Sequence, residues 1–135
     1  MTAGYSGTPL AKKLTLRDTM RVLFDGMPDS IRREIDHYNL DLRPVGNDKG
    51  TFDAAHLFVT DAVDLTEKIR TLRQSMDRNG QIWVSWPKKG SGQETALDQV
   101  AVQRIGIAVG LVDIKKCAVD DVWSGLKFVI PKADR

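Results

Sequence analysis

This chain has little of what disulfide, metal or membrane function requires. Its one cysteine, Cys117, excludes an internal disulfide framework and a multi-cysteine metal site. Of its two histidines, His37 falls at a helix end and His56 within a strand. Neither has metal-ligand spacing with another ligand or is placed to complete a catalytic relay, so both read as structural and no metal is expected. No apolar run approaches a membrane span. Neither charge sign dominates: 20 Lys and Arg stand against 18 Asp and Glu, for a net charge of +2. That excess is too small to argue bulk nucleic-acid binding, although the pI is mildly basic. Residues 1–9 lack both a basic n-region and an apolar h-region, which predicts a flexible lead-in to a cytoplasmic protein. Repeats and low-complexity runs are also lacking.

What remains is a chain of 135 residues, long enough for one domain over residues 10–135 with its own core. Leu10 to Leu16 suggests a short helix. Met20 to Asp25 reads as a buried strand, because Val22, Leu23 and Phe24 run together before a turn. Pro28, Asp29 and Ser30 suit a helix start, Ile31, Ile35 and Tyr38 recur at helical spacing, and Asn39 can end that helix. Leu40 to Val45 alternates as a short strand, an edge open to pairing with a second copy; Gly46 to Gly50 is a turn cluster. Ala54 to Thr60 is a second buried strand. Leu65, Ile69, Leu72 and Met76 give the clearest helical period, with Asp64 and Glu67 as a capping box and Asn79-Gly80 as the stop. Gln81 to Trp86 is a strand that ends at Pro87. Thr95 to Val109 is a helix with Leu97, Val100, Ala101, Ile105 and Ala108 inward. Leu111 to Val119 and Leu126 to Ile130 are strands joined by a link too short for a crossover helix, so they should be antiparallel. Alternating strands and helices predict an α/β fold, a mostly parallel sheet of about six strands covered on both faces.

Leu14 to Gly26, Phe52 to Val59, Asn79 to Val84 and the closing strand pair resemble the sheet strands of class I S-adenosylmethionine-dependent methyltransferases. The resemblance implies a three-layer Rossmann-like sheet in the order 2-1-3-4-6-5 with an antiparallel last strand. Between Val45 and Phe52 there is no room for that family's third strand and the helix before it. A second resemblance covers nearly the whole chain. Trp86-Pro87-Lys88-Lys89, Gly110-Leu111-Val112-Asp113, Cys117-Ala118-Val119-Asp120 and Trp123-Ser124-Gly125-Leu126-Lys127-Phe128-Val129 are similar to the signature of a family of short bacterial proteins of unknown function. It implies a fold but carries no activity.

In open α/β sheets ligands bind beyond the strand carboxyl ends. That rule selects Asp25-Gly26-Met27, Thr60-Asp61 and Trp86-Pro87-Lys88-Lys89 with Ser91. Lys88 and Lys89 beside Gly90-Ser91-Gly92 suit a small anion, and Trp86 at the strand end suits a ring. The same lysines serve equally as a solvated surface loop. Core packing is nevertheless the more usual role for all three tryptophans, Trp83, Trp86 and Trp123. The methyltransferase pattern places several glycines after the first strand and an acid at the end of the second. Here the first loop has one glycine and Pro28, which donates no N–H. The second strand ends in Arg43-Pro44-Val45, with only Asp48 nearby. Both departures argue against S-adenosylmethionine, so the cofactor stays unassigned. Asp25 and Asp61 should come close, as an acid–base pair or as turn and cap residues. Lys115-Lys116 could activate Cys117, although a buried, inert thiol is more usual. The expected function is a non-catalytic small-ligand-binding or regulatory module on a shortened methyltransferase-like sheet. The alternatives are a methyltransferase or other transferase, then single-stranded nucleic-acid binding through Trp86 and the lysines.

Overall fold

The computed structural model describes residues 7–46 and 50–135. The expected lead-in therefore lies largely outside the described residues, as does the centre of the Gly46 to Gly50 turn with Asp48. Six strands form one sheet: β1 (Arg21–Asp25), β2 (Arg43–Pro44), β3 (Phe52–Phe58), β4 (Met76–Pro87), β5 (Val112–Ala118) and β6 (Trp123–Val129). Among the described residues four α-helices accompany them: α1 (Leu10–Lys13), α2 (Asp29–Asp36), α3 (Ala62–Ser75) and α4 (Gln99–Ala108). The strand order is β2-β1-β3-β4-β6-β5, as the methyltransferase resemblance implies. The pairs β1–β2, β1–β3 and β3–β4 are parallel, and β4–β6 and β5–β6 are antiparallel.

Side chains alternate across a strand, and here the alternation divides the core in two. Val22, Ala54, Phe58 and Trp83 point toward α1 and α2, against Leu14, Ile31 and Ile35. Leu23, Ala55, Leu57, Ile82 and Val84 point the other way, against Leu65, Ile69 and Leu72 of α3 and Val102 of α4. Both faces are covered, so the central strands read as continuous apolar runs.

Several local expectations shift for physical reasons. Asp61 caps α3, its carboxylate accepting from the Asp64 N–H at 2.8 Å, so the expected box at Asp64 and Glu67 lies one turn too far along. The helix ends at Ser75, and Met76 already belongs to β4, because parallel pairing with Phe52 begins there rather than after Asn79-Gly80. Strand β3 runs from Phe52 to Phe58, two residues earlier than expected. The Leu40 to Val45 strand contracts to two exposed residues, since Pro44 has no N–H to donate and the chain pairs on one side only. Tyr38 lies beyond α2 and is exposed; Asn39, at φ 59°, closes the helix as expected.

In α4, Asp98 caps the first turn and the buried positions are Val102 and Gly106. Val100 and Ala108 face outward, contrary to the pattern read from sequence. The reason is Gly106. A Cβ there would stand 2.1 Å from Cε1 of the fully buried Phe128 ring, so the missing side chain sets how closely α4 lies on β6. Gly106→Ala should therefore destabilise the fold by about 1–3 kcal/mol, overpacking outweighing the helix-propensity gain of about 1 kcal/mol. Urea denaturation checks this, and Phe128→Leu in the same chain should restore most of the loss.

Candidate functional site

The parallel register brings the carboxyl ends of β1, β3 and β4 to one edge of the sheet, with Asp25 opposite Leu57 and Phe58 opposite Ser85. Gly26 leaves β1 at φ 73°, a conformation that favours glycine, and has no room for a side chain: a Cβ would lie 3.1 Å from the Phe58 carbonyl oxygen. Met27 packs against the α1–α2 core, and Pro28 passes directly into α2. The loop after β1 is thus pressed onto the end of β3.

The carboxylates at this edge are already engaged. Asp25 accepts from Lys68 Nζ at 3.2 Å, and Lys68 also pairs with Asp64 at 3.2 Å. Burial works against the Lys68 ammonium, but hydrogen bonds and charges from Asp25 and Asp64 outweigh it and raise its pKa. Asp61 caps α3. The two aspartates thus have separate partners: Asp61 is the helix cap expected of it, and Asp25 forms an ion pair, so the acid–base alternative has no pair to rest on. Thr60 contributes its carbonyl, which accepts from Thr95 Oγ1 at 2.5 Å and fastens the loop before α4 over the end of β3.

At the end of β4, two candidate ligand contacts are corrected. Trp86 is 4% exposed and lies in the core cluster with Leu97 and Leu111, so it offers no stacking surface; the alternation of β4 turns it inward with Ile82 and Val84. Lys88 is a strut rather than a free cation. Its N–H donates to the Val122 carbonyl at 2.7 Å and its ammonium to the Asp120 carbonyl at 2.6 Å. The Asp120 carboxylate in turn accepts from the N–H groups of Val122 and Trp123, fixing the β5–β6 link. Lys89 is exposed and makes no side-chain bond among the described residues. Ser91 closes the turn through its N–H to the Lys88 carbonyl, and its hydroxyl accepts from Gln93 N–H at 3.4 Å. Gly90 and Gly92, at φ 78° and 91°, have open space at their α-carbons.

Beside this loop lies an open depression of about 760 Å³, lined from Pro87 to Gly90 and from Gln93 to Asp98. Its walls carry Lys88 and Lys89 on one side and Glu94 and Asp98 on the other. The charges nearly balance, so the site is less cationic than Lys88-Lys89 suggests in sequence.

His56 and Ser85 form a polar pair that the sequence does not reveal. His56 Nε2 and Ser85 Oγ are 2.6 Å apart, both buried, with His56 stacked on Phe58 at 4.3 Å. Burial drives the imidazole pKa down to about 3, and Nδ1 has no partner among the described residues. Only the register between β3 and β4 brings the two together. Burial pushes the Cys117 thiol up, against the opposing influence of Lys13, Lys115 and Lys88, so the structure favours an inert thiol. Among the described residues no three His, Cys, Asp or Glu side chains are grouped to hold a metal, and no helix is long and apolar enough to cross a membrane.

A family model described as "Protein of unknown function (DUF3052)" matches residues 22–132. No curated protein matches the chain in sequence. Among solved structures, a methyltransferase from Pyrococcus furiosus is similar with a TM-score of 0.56 and 16% identity, over 88% of this chain and 78% of that one. A putative methyltransferase from Thermoplasma acidophilum has a TM-score of 0.55 and 11% identity, over 93% and 75%. LepI, in complex with SAM, has a TM-score of 0.53 and 11% identity, and the chain spans 90% of itself but 39% of LepI. At these identities the likeness shows the fold alone: a Rossmann-like, methyltransferase-like sheet.

Proposed function

The chain belongs to the DUF3052 family of proteins of unknown function, and from that premise we propose that it is a non-catalytic small-ligand-binding or regulatory module on a shortened methyltransferase-like sheet. The observation that carries this reading is the closed first loop. Gly26 abuts the Phe58 carbonyl, Pro28 withholds a donor, and Lys68 neutralises Asp25. A cofactor loop needs the opposite, with backbone N–H groups turned toward space. The ligand would occupy the depression beside the β4 end. Its anionic group would meet Lys89 and the N–H groups of the Gly90-Ser91-Gly92 turn. Glu94 and Asp98 would confine the remainder to neutral or cationic groups.

The second reading is a methyltransferase or other transferase, favoured only by the fold. Thermal-shift measurements with phosphate, nucleotides, amino acids, S-adenosylmethionine and S-adenosylhomocysteine separate the two, because a ligand that binds the folded state alone raises the melting temperature. A shift is expected with an anion-bearing ligand, reduced in Lys89→Ala, and none with either cofactor form. A saturable shift with S-adenosylmethionine or S-adenosylhomocysteine would replace the first reading by the second.

A further inference from the structure

A second cavity, of about 460 Å³, lies at the opposite edge of the sheet, where β4 begins and β6 ends. Lys12 from α1, Arg17 from the turn after it and Lys127 from β6 line it, and no carboxylate does so among the described residues. Lys127 is half-buried, and its cross-strand neighbour on β5 is Lys115. Like charges directly opposite in a sheet destabilise it. Lys115 is partly diverted, donating to the Lys13 carbonyl at 2.9 Å, but among the described residues no acid pairs with Lys127. Burial, with Lys115 and Arg17 adding to it, lowers the Lys127 pKa. Asp53, which feels the Arg17 charge, is held by two hydrogen bonds from the Arg21 guanidinium.

The remaining walls are mixed. Tyr38, Leu16 and Met20 give the cavity an aromatic and apolar side, while Gln81 and Thr15 line its polar side. Gln81 is anchored through its amide N–H to the Leu14 carbonyl, and Thr15, at φ 56°, donates its hydroxyl within the same group. A β-branched residue in the left-handed region is strained, and here it holds the chain between Lys12 and Arg17 in a tight reversal.

We infer that this cavity binds an organic phosphate, its phosphoryl oxygens between Lys12, Arg17 and Lys127 and its uncharged part against Tyr38, Leu16 and Met20. Arg suits forked recognition of phosphate, and Lys supplies a point charge to the same group. The ligand would supply the counter-charge that the cavity walls lack. This site is independent of the depression beside Lys89.

Isothermal titration at low salt, with inorganic pyrophosphate and with adenosine diphosphate, tests the proposal. Pyrophosphate is expected to bind, and adenosine diphosphate to bind more tightly because it also covers the apolar wall. Lys127→Met and Arg17→Gln should each weaken both by roughly tenfold or more, the equivalent of one lost hydrogen bond to a charged group. Repeated in the Lys89→Ala chain, which lacks the cation of the other site, both probes should still bind and should still be weakened by Arg17→Gln, which separates this site from the other. Lys127→Met should fold at least as well as the parent because it removes repulsion. Arg17 is exposed, so Arg17→Gln decides the matter even if Lys127→Met does not fold. Absence of binding by either probe at millimolar concentration, or binding unaltered in Arg17→Gln, would overturn the inference. Equal affinity for the two probes would overturn the apolar half of the site.

Discussion

Trp83→Ala should remove about 3–5 kcal/mol of folding stability, a large share of the roughly 5–15 kcal/mol that a domain of this size has in total. Trp83 is the largest fully buried side chain, at 1% exposure, and it joins three parts of the fold. Its ring lies against Gly125 of β6, where an added Cβ would approach within 3.3 Å of the indole. It neighbours His56 on β3 at 6.3 Å between centroids. Its Nε1 donates to the Leu14 carbonyl at 2.9 Å, fastening the end of α1 to the centre of the sheet. Truncation leaves a cavity that strands on both sides prevent from collapsing. Trp83→Phe separates volume from hydrogen bonding. The Leu14 carbonyl keeps the Gln81 amide at 2.8 Å, so it is not orphaned, and the expected loss is only about 1–2 kcal/mol. Urea denaturation followed by far-ultraviolet circular dichroism measures both. A loss below about 1 kcal/mol for Trp83→Ala would mean that α1 is not held to the sheet in this way.

The sheet was legible in the sequence because buried parallel strands and amphipathic helices leave strong local patterns. Val22-Leu23-Phe24 and Leu57-Phe58-Val59 are apolar runs bounded by turns, and Leu65, Ile69 and Leu72 keep a helical period. What was not legible depends on tertiary register. The sequence pattern of α4 points Val100 and Ala108 inward, yet Gly106 faces Phe128 because close backbone approach overrides the apolar count. Trp86 sits at a strand end, where exposure is a reasonable expectation, but the parity of β4 buries it. Lys88 reads as a free cation until the β5–β6 link arrives to accept from it. Lys12, Arg17 and Lys127 are far apart along the chain, and only the sheet order brings them to one cavity. Local periodicity reports which face is buried; it does not report which charges from distant segments converge.

The same limit hides the pH response. Stability should fall by about 2 kcal/mol between about pH 7 and pH 5, and continue to fall at about 1.4 kcal/mol per unit below that. The cause is His56, whose pKa drops from 6.5 to about 3 because the ring is buried among Phe58, Trp83 and Ser85. A depressed folded-state pKa means that the unfolded chain binds the proton first. The stabilisation is therefore complete above the unfolded value near 6.5 and declines as pH falls toward about 3. A second contribution has a separate window. The hydrogen bond and charge from Arg21 hold the Asp53 carboxyl below its ordinary 3.8, so its share is lost only beneath that value. The interval between about pH 6.5 and pH 4 thus belongs to the histidine. His56→Gln keeps a polar group that can reach Ser85 but cannot titrate there. It should be less stable than the parent near pH 7 and should show a nearly flat profile across that interval. Urea midpoints in a pH series provide the measurement. A parent profile as flat as that of His56→Gln would require the imidazole to be charged in the folded state, with a counter-charge or water beside Nδ1. A parent slope that disappears in the variant would instead identify one buried ring, made polar by its chemistry and neutral by its surroundings, as the acid-sensitive point of the core.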